Sequence, residues 1–428
     1  MTERLYYTDP NLTEFEGRFV SFEHATEAHP HVGIVLDRTA FYPTSGGQIF
    51  DTGFLIAADE PNGHQLRIVE VTELPNGDIA HCVEFPEGGI GIQQGALLRG
   101  LIDRPRRRDH MQQHTGQHLL SAVFIELLNA PTVSFHMGDE SCTIDLDVKA
   151  ISAQQIRNVE QRAHQIVTDD VPVEIKFATP DEARQMGVRK IPPDLTDKLR
   201  LIEIHGHDLT ACGGTHVSRT GKIGSILVRK TEKVKQGMRV EFVCGARAVA
   251  AARKDFDTLT SAAALFSSHI YGVPEQIRKT LDEAKAAGKR EQKTQAELAE
   301  LMAADILAET IPGVARVSDP GSHTTTDTIR LVKRTFADRD LAFIKLLAQK
   351  LAATSNVVAL LASTAAEPSL VFAQSAGGKF DMGALMKDAM ALLGGRGGGT
   401  RDLAQGGAPP GAKVDAALDA AAAKIRVE

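Results

Sequence analysis

Two short clusters carry the side chains best suited to holding a metal ion. His114-Thr115-Gly116-Gln117-His118 sets two imidazoles four residues apart, and Cys212-Gly213-Gly214-Thr215-His216 sets a thiol and an imidazole at the same spacing. On a helix, residues i and i+4 share a face with side chains about 5–6 Å apart, so two imidazoles can meet one ion. The paired glycines of the second cluster permit a tight turn that brings Cys212 and His216 together. Borderline imidazole and soft thiolate donors in one set point to zinc. With 15 His and 4 Cys in 428 residues, chance supplies about 0.5 His-x-x-x-His and about 0.1 Cys-x-x-x-His. The weight therefore falls on the two clusters together, since His110 already forms a second His-x-x-x-His with His114. Two readings stay open: a closed structural zinc that staples helix to loop, or a catalytic zinc with a position left for water or substrate. His110 is read as a surface group or a neighbour of the ligands.

Other segments could serve a ligand. Phe41-Tyr42-Pro43-Thr44-Ser45-Gly46-Gly47-Gln48 reads as a hairpin turn with glycines at positive φ. Alternatively, Gly46 and Gly47 let a substrate approach the backbone while Gln48 and Thr39 offer hydrogen bonds. Arg99, Arg104, Arg106, Arg107 and Arg108 crowd the start of the helix that carries His114. They are either a solvated face or a phosphate-binding stripe. The run Gly394–Gly407, with Arg396 and Arg401, is a flexible linker or a loop that offers N–H groups and guanidiniums to phosphates. It lacks the Lys-Ser/Thr ending of a P-loop, so nucleotide hydrolysis is not implied. His136 is either a satisfied core histidine or a group near the site. Cys82, Cys142 and Cys244 read as core thiols.

The elements that must position these groups follow from pattern. Short β-prone runs at Phe19–Phe22, Gly33–Leu36 and Gln65–Val71 are broken by Pro30, Pro61-Asn62-Gly63 and Pro75-Asn76-Gly77-Asp78. They predict a small antiparallel barrel or curled sheet over residues 1–104. From Pro105 helical spacing begins and runs through Leu128 to a stop at Asn129-Ala130-Pro131. Strands near Thr132–Phe135, Cys142–Asp147, Val173–Phe177, Leu199–Ile204, Ile223–Arg229 and Arg239–Val243, with a helix at Ala153–Val167, make residues 105–248 an α+β domain on a largely antiparallel sheet. Residues 249–311 predict a long helix or a hairpin of two, acting as a coiled-coil or as an intramolecular spacer. Residues 312–428 predict a last α/β unit, in which a glycine-rich loop follows the helix Met382–Leu393.

Composition narrows the class. The hydrophobic fraction is 43% and the charged fraction 24%, which excludes fibrous and disordered chains. The formal net charge is −7, so binding to nucleic acid must rely on local basic patches. The 4 Cys exclude a disulfide scaffold and fit a reducing compartment. Neither a signal peptide nor an apolar run long enough for a bilayer is present, so a cytoplasmic, membrane-free protein is expected.

The residues also carry a resemblance. Asp37-Arg38-Thr39-Ala40-Phe41-Tyr42-Pro43, Gly46-Gly47-Gln48, Asp51-Thr52-Gly53, His114–Leu120 and Cys212–His216 stand in the order found in the editing module of alanyl-tRNA synthetases. The chain is similar above all to the freestanding AlaX editing proteins, over roughly residues 1–245. Gly394–Gly407 resembles the DHH-associated domain that ends those synthetases. The resemblance implies an N-terminal β-barrel, an α/β-sandwich editing domain, a helical spacer and a DHH-associated-type domain. No segment ahead of the barrel is read as an aminoacylation domain, and the Asp-His-His half of the DHH phosphoesterases is missing, so neither activity is expected.

What the resemblance implies for chemistry is hydrolysis of mischarged Ser-tRNA(Ala), and of Gly-tRNA(Ala), at a zinc held by His114, His118, Cys212 and His216. His216 is expected to be the most distant or labile ligand. Alanine is smaller than serine, so size cannot spare the correct product, whereas a site that hydrogen-bonds the seryl hydroxyl can. Thr39 and Gln48 are assigned to that lining, and His136, a zinc-bound water or the ribose hydroxyl to the general base. The arginines at 104, 106, 107 and 108 and those at 396 and 401, with Gly46 and Gly47, are assigned to tRNA contacts. A homodimer through the spacer or the C-terminal domain is a further expectation. Alternatives are a non-enzymatic tRNA-binding protein with a structural zinc, and a threonyl-type editing domain, which shares both metal clusters.

Overall fold

The computed structural model describes residues 1–24, 31–57, 65–84, 91–188, 198–235, 237–310, 329–365 and 367–427. The expected breaks at Pro30 and Pro61-Asn62-Gly63 and the boundary at 311–312 lie outside these residues. The chain divides into two compact units, Met1–Ala262 and Ala263–Glu428.

The first unit begins with β1 (Glu3–Arg4), β2 (Glu14–Glu23), β3 (Val32–Leu36), β4 (Arg38–Thr39), β5 (Gly53–Ala57), β6 (Gln65–Glu73), β7 (Ile79–Val83) and β8 (Leu97–Ile102). Six of them close into a barrel in the order β2-β3-β7-β6-β5-β8, while β1 and β4 form a short parallel pair. Alternation drives closure: Phe15 and Phe19 of β2 turn inward while Glu14, Glu16 and Arg18 face water. Phe15, Ile34, Leu36, Phe41, Leu55, Ile68 and Ile79 fill the interior.

Helix α1 (Arg104–Leu128) leaves the barrel directly. Asp103 caps it by accepting from the Arg106 N–H, Pro105 occupies its first turn, and Asn129 ends it in the left-handed region at φ 49°. There follow β9 (Thr132–Met137), β10 (Cys142–Leu146), α2 (Ala153–Thr168), β11 (Val173–Ala178), α3 (Pro180–Gln185), β12 (Leu199–Ile204), β13 (Asp208–Ala211), β14 (Ile226–Val234) and β15 (Gly237–Cys244). The single sheet expected here is two: a four-stranded sheet ordered β14-β15-β10-β9 and a three-stranded one ordered β11-β12-β13. All pairings are antiparallel. Leu119, Leu120, Val123 and Phe124 of α1 share one core with Ile144, Val240 and Phe242 of the larger sheet and with Val159 and Ile166 of α2. The fold is α+β, with a closed barrel in front. Helix α4 (Gly245–Leu265) follows.

In the second unit, α5 (Val273–Glu309) runs unbroken through Gly288. Its Ala299, Ala303 and Ile306 pack with Phe343, Ile344 and Leu347 of α6 (Leu341–Ala352). Strands β16 (Arg330–Phe336), β17 (Val357–Ser363), β18 (Ser369–Gln374), β19 (Arg396–Gly399) and β20 (Leu403–Gly407) form one sheet ordered β16-β17-β18-β20-β19. Helices α7 (Met382–Leu393) and α8 (Val414–Val427) share a second core on it. The glycine-rich segment read as a loop is thus a β-hairpin. A Cβ on Gly397 would stand 2.9 Å from Met390 Cγ and one on Gly406 2.5 Å from Met390 Sδ. The glycines let this hairpin lie against α7, which composition alone reads as flexibility. Among the described residues no helix is long and apolar enough to cross a membrane.

Candidate metal centre

Helix α1 brings His114 and His118 to one face, and the turn after β13 brings Cys212 and His216 against them. The four ligand atoms lie within 4.8 Å of one another. Cys212 Sγ is 3.4 Å from His114 Nε2 and 3.4 Å from His216 Nε2. His114 and His216 thus stand equally far from the thiol. The two clusters meet because Gly214 has no side chain: a Cβ there would stand 2.2 Å from His114 Cε1.

Each imidazole is fixed from behind. His114 Nδ1–H donates to Gln48 Oε1 at 2.8 Å, leaving Nε2 toward the thiol. Gln48 is fully buried, takes the Thr215 N–H on the same oxygen and donates from Nε2 to Thr215 Oγ1. His118 Nδ1 faces the Asp208 carboxylate at 3.2 Å. His216 Nδ1 is 3.2 Å from Thr115 Oγ1. Carboxylate, amide and hydroxyl partners of this kind set ring orientation and leave the other nitrogen free for a metal. Arg200, 6% exposed, donates from Nη1 to the Cys212 carbonyl and from Nε to the Tyr7 carbonyl, steadying the strand end that carries the thiol.

Electrostatics match this donor set. Burial alone would raise the Cys212 thiol, but the imidazoles of His114 and His216 hold it well below its ordinary value. Burial works against charge on His118, yet hydrogen bonds to Asp208 and Cys212 outweigh it and push its pKa up to about 9. Burial, then repulsion from His114, drives His216 well down. A thiol held toward its ionised form beside three imidazoles is a donor set that suits a divalent soft-to-borderline cation. The residues fit a metal.

The cluster opens onto a cavity of about 540 Å³. Tyr42, Ser45 and Gly46 line one side, α1 from His114 to Ile125 a second, and Pro131–Phe135 a third. Gly46 and Gly47, at φ 56° and 85°, form the tight turn between Ser45 and Gln48 that carries Gln48 inward.

Other expected site residues sit elsewhere. Thr39 is buried in the barrel, where it accepts the Phe41 N–H and its hydroxyl meets His81 Nε2 at 2.7 Å; it is not part of the cavity wall. Gln48 acts on His114 and is likewise absent from that wall. His136 is exposed and lies outside the wall, whereas Phe135 lines it, 5.4 Å from the His114 ring.

The arginine stripe divides. Arg107 is 1% exposed and binds the buried Asp51 carboxylate and the carbonyls of Pro10 and Ala40. It ties the barrel to α1 and cannot meet a phosphate. Arg104 pairs with Glu14, Arg106 with Asp139 and the Phe50 carbonyl, and Arg108 is exposed. Arg396 and Arg401 are exposed, with Arg401 donating to the Lys379 carbonyl. His110 is wholly buried with neither ring nitrogen hydrogen-bonded. Burial and the nearby Arg106, Arg247 and Arg107 push its pKa down to about 3.

Asp208, Arg200 and Thr115 escape a motif search. Period-2 alternation could have found Asp208, since 208, 210 and 212 share one face of an extended strand.

Comparisons place this geometry in a family. The profile of the threonyl and alanyl tRNA synthetase second additional domain matches residues 199–240, which hold β12, β13 and the Cys212–His216 turn. The class II (A) tRNA synthetase profile matches residues 2–106, the barrel, and the DHHA1 domain profile matches 335–426. An alanyl-tRNA editing protein AlaX-L of Pyrococcus horikoshii is 30% identical over 430 residues, covering 100% of this chain and 99% of that protein. This chain belongs to the AlaX-L family of alanyl-tRNA editing proteins. Alanine–tRNA ligases of Natronomonas pharaonis and Pyrococcus abyssi are 32% and 31% identical across 99% and 95% of the chain. The chain spans only 44% and 42% of their lengths.

Proposed function

We propose that the chain is a zinc-dependent deacylase that hydrolyses the ester of mischarged Ser-tRNA(Ala), and of Gly-tRNA(Ala), in the cytoplasm. The observation that carries the reading is the convergence of His114, His118, Cys212 and His216, the first three of which line a cavity large enough for an aminoacyl ester. Zinc held there would supply Lewis acidity and a fixed point for the substrate's amino group or a water. The chain's own residues do the positioning. Gln48, Asp208 and Thr115 hold the three imidazoles, and Arg200 holds the carbonyl of Cys212.

Selection for a hydroxyl falls to polar groups of the cavity wall. Thr39 and Gln48 have their polar atoms engaged elsewhere, and the Tyr42 hydroxyl donates to the Ser45 carbonyl, so the Ser45 hydroxyl on the glycine-turn side of the wall takes that role. A site that leaves such groups unpaired when alanine enters discriminates by up to about 10⁴–10⁵. RNA contacts rest on the exposed Arg104, Arg108, Arg396 and Arg401 and the half-buried Arg106, and no longer on Arg107. The test is single-turnover hydrolysis of Ser-, Gly- and Ala-tRNA(Ala). Hydrolysis of the first two with Ala-tRNA(Ala) spared supports the reading, and equal treatment of all three removes it.

A further inference from the structure

The ribbon of β14 and β15 gathers positive charge that the metal centre does not use. From Arg229 to Arg239 the chain holds five basic residues and one acid, in a molecule of net charge −7. Three of the five are engaged: Arg229 with Asp255, Lys230 with Glu232 at 2.6 Å and Arg239 with Asp145 at 2.7 Å. Lys233 and Lys235 are exposed, and among the described residues neither has an ion-pair partner.

Register ties this ribbon to the cavity. Lys233 lies opposite Met238, Met238 opposite Leu146, and Leu146 opposite Thr132, which lines the cavity. Three strand spacings of about 4.8 Å put Lys233 about 14 Å from Thr132 in one row of the sheet. The turn is held at that level because Gly237 lies directly on the end of β10: a Cβ there would stand 2.0 Å from the Leu146 carbonyl oxygen.

A third lysine comes to the same place. Lys149, exposed and without an ion-pair partner among the described residues, follows the end of β10 at Leu146. Helix α2 flanks the outer edge of β14: Glu160 accepts the Val228 N–H at 2.8 Å, and His164 Nε2–H donates to the Ile226 carbonyl at 3.1 Å. From Val228 to Lys233 the strand advances about 16 Å, whereas the start of α2 at Ala153 lies only about 10 Å back from Glu160. The Lys149 segment therefore comes level with Lys233. Lysines on an open strand edge also deter edge pairing, but that role does not recruit Lys149, which stands off the edge.

We propose that Lys149, Lys233 and Lys235 form a contact outside the cavity for the RNA, meeting phosphates of its acceptor end a few nucleotides from the ester. The inference rests on the proposed deacylase reading, which takes the ester to the metal end. Flexible ammonium groups along one rim, with no forked donor among them, suit a polyanion read for charge and not for sequence.

The test compares full-length wild type with the triple variant Lys149→Gln, Lys233→Gln, Lys235→Gln on serylated substrates of decreasing length: Ser-tRNA(Ala), its acceptor-stem minihelix and 3′-O-seryladenosine. On the first two, KM should rise roughly tenfold with kcat and Tm unchanged, and the salt slope of log Kd for the uncharged minihelix should fall by about 2–3. On seryladenosine, too short to reach the ribbon, the loss should vanish. Unchanged KM and slope on the minihelix overturn the proposal. So does a loss confined to full-length tRNA, which would put the ribbon on a remote part, and so does an equal loss on seryladenosine, which would put the lysines on the cavity. Binding of phosphatidylserine vesicles that the variant loses while its RNA titration holds would assign the ribbon to lipid and overturn it as well. The underlying reading fails separately: a minihelix titration weakened in the variant, with no hydrolysis of Ser-tRNA(Ala) by wild type, removes the enzyme and leaves the ribbon, and hydrolysis with an unchanged titration does the reverse.

Discussion

Gly213 and Gly214 are adjacent, yet they should respond in opposite ways to one methyl group. In Gly214→Ala the new Cβ would stand 2.2 Å from Cε1 and 2.4 Å from Nδ1 of His114, and 2.9 Å from Gln48 Oε1. Carbon contacts settle at about 3.5–4.0 Å, so the ring or the turn must retreat by about 1.3–1.8 Å. Metal–ligand distances tolerate about 0.2 Å. His114 would lose both its place among the ligands and its bond to Gln48, and loss of outer partners alone costs about 10–100-fold in metal affinity. Zinc affinity should therefore fall at least 10-fold, about 1.4 kcal/mol or more. Overpacking should remove about 1–3 kcal/mol of stability besides. In Gly213→Ala the nearest atom is Tyr7 Oη at 3.4 Å, ordinary contact, so affinity should hold. Competition with a chromogenic chelator measures both variants. Native affinity in Gly214→Ala, or equal losses in the two, would refute the packing of turn against helix that builds the site.

Asp208→Asn should weaken zinc by about 10–100-fold; because zinc must displace the proton that Asp208 and Cys212 hold on His118 up to about pH 9, wild-type affinity should rise with pH below that value and the variant's dependence should move to lower pH, as chelator competition across pH will show. The His81 pKa is pushed by burial from 6.5 to about 4, despite its bond to the Ile34 carbonyl. The unfolded chain thus binds the proton first, and stability present above pH 6.5 should be lost as pH falls toward 4, by roughly 3 kcal/mol; guanidinium melts of wild type and His81→Gln should show that slope flattened in the variant. Arg107→Ala strands the buried Asp51 and should cost about 3–5 kcal/mol, whereas Arg108→Ala should leave Tm unchanged, by calorimetry. Arg396→Ala with Arg401→Ala should weaken tRNA binding and reduce the salt slope of log Kd by about 2, read from titrations at several salt concentrations.

How much was legible follows from the range of each signal. The four residues of the His/Cys cluster could be named because spacing of four residues has a geometric meaning on a helix and across a glycine turn, so nearby sequence contains it. The partners behind them are remote: Gln48 is 66 positions from His114 and Asp208 is 90 from His118. No local pattern encodes such pairings. Thr39 and Gln48 look alike in sequence, as polar residues flanking an aromatic-glycine segment, but β4 turns Thr39 into the barrel toward His81. Arg107 stands among exposed arginines, and only its register on α1 against Asp51 sets it apart. For the fold, β2, β3 and β6 carried long β-prone runs, whereas β7 holds a polar His81 and β8 an Arg-Gly pair, which blur the pattern. Glycine content misled at β19–β20, where it marks close packing on α7.

The most direct trial of a single ion shared by helix and turn is single-turnover hydrolysis of Ser-tRNA(Ala) on one preparation, first stripped of metal and then given one equivalent of zinc. The account predicts that activity disappears on stripping and returns in full at one zinc per chain, and that His114→Ala blocks the return. Undiminished hydrolysis by metal-free protein would contradict it.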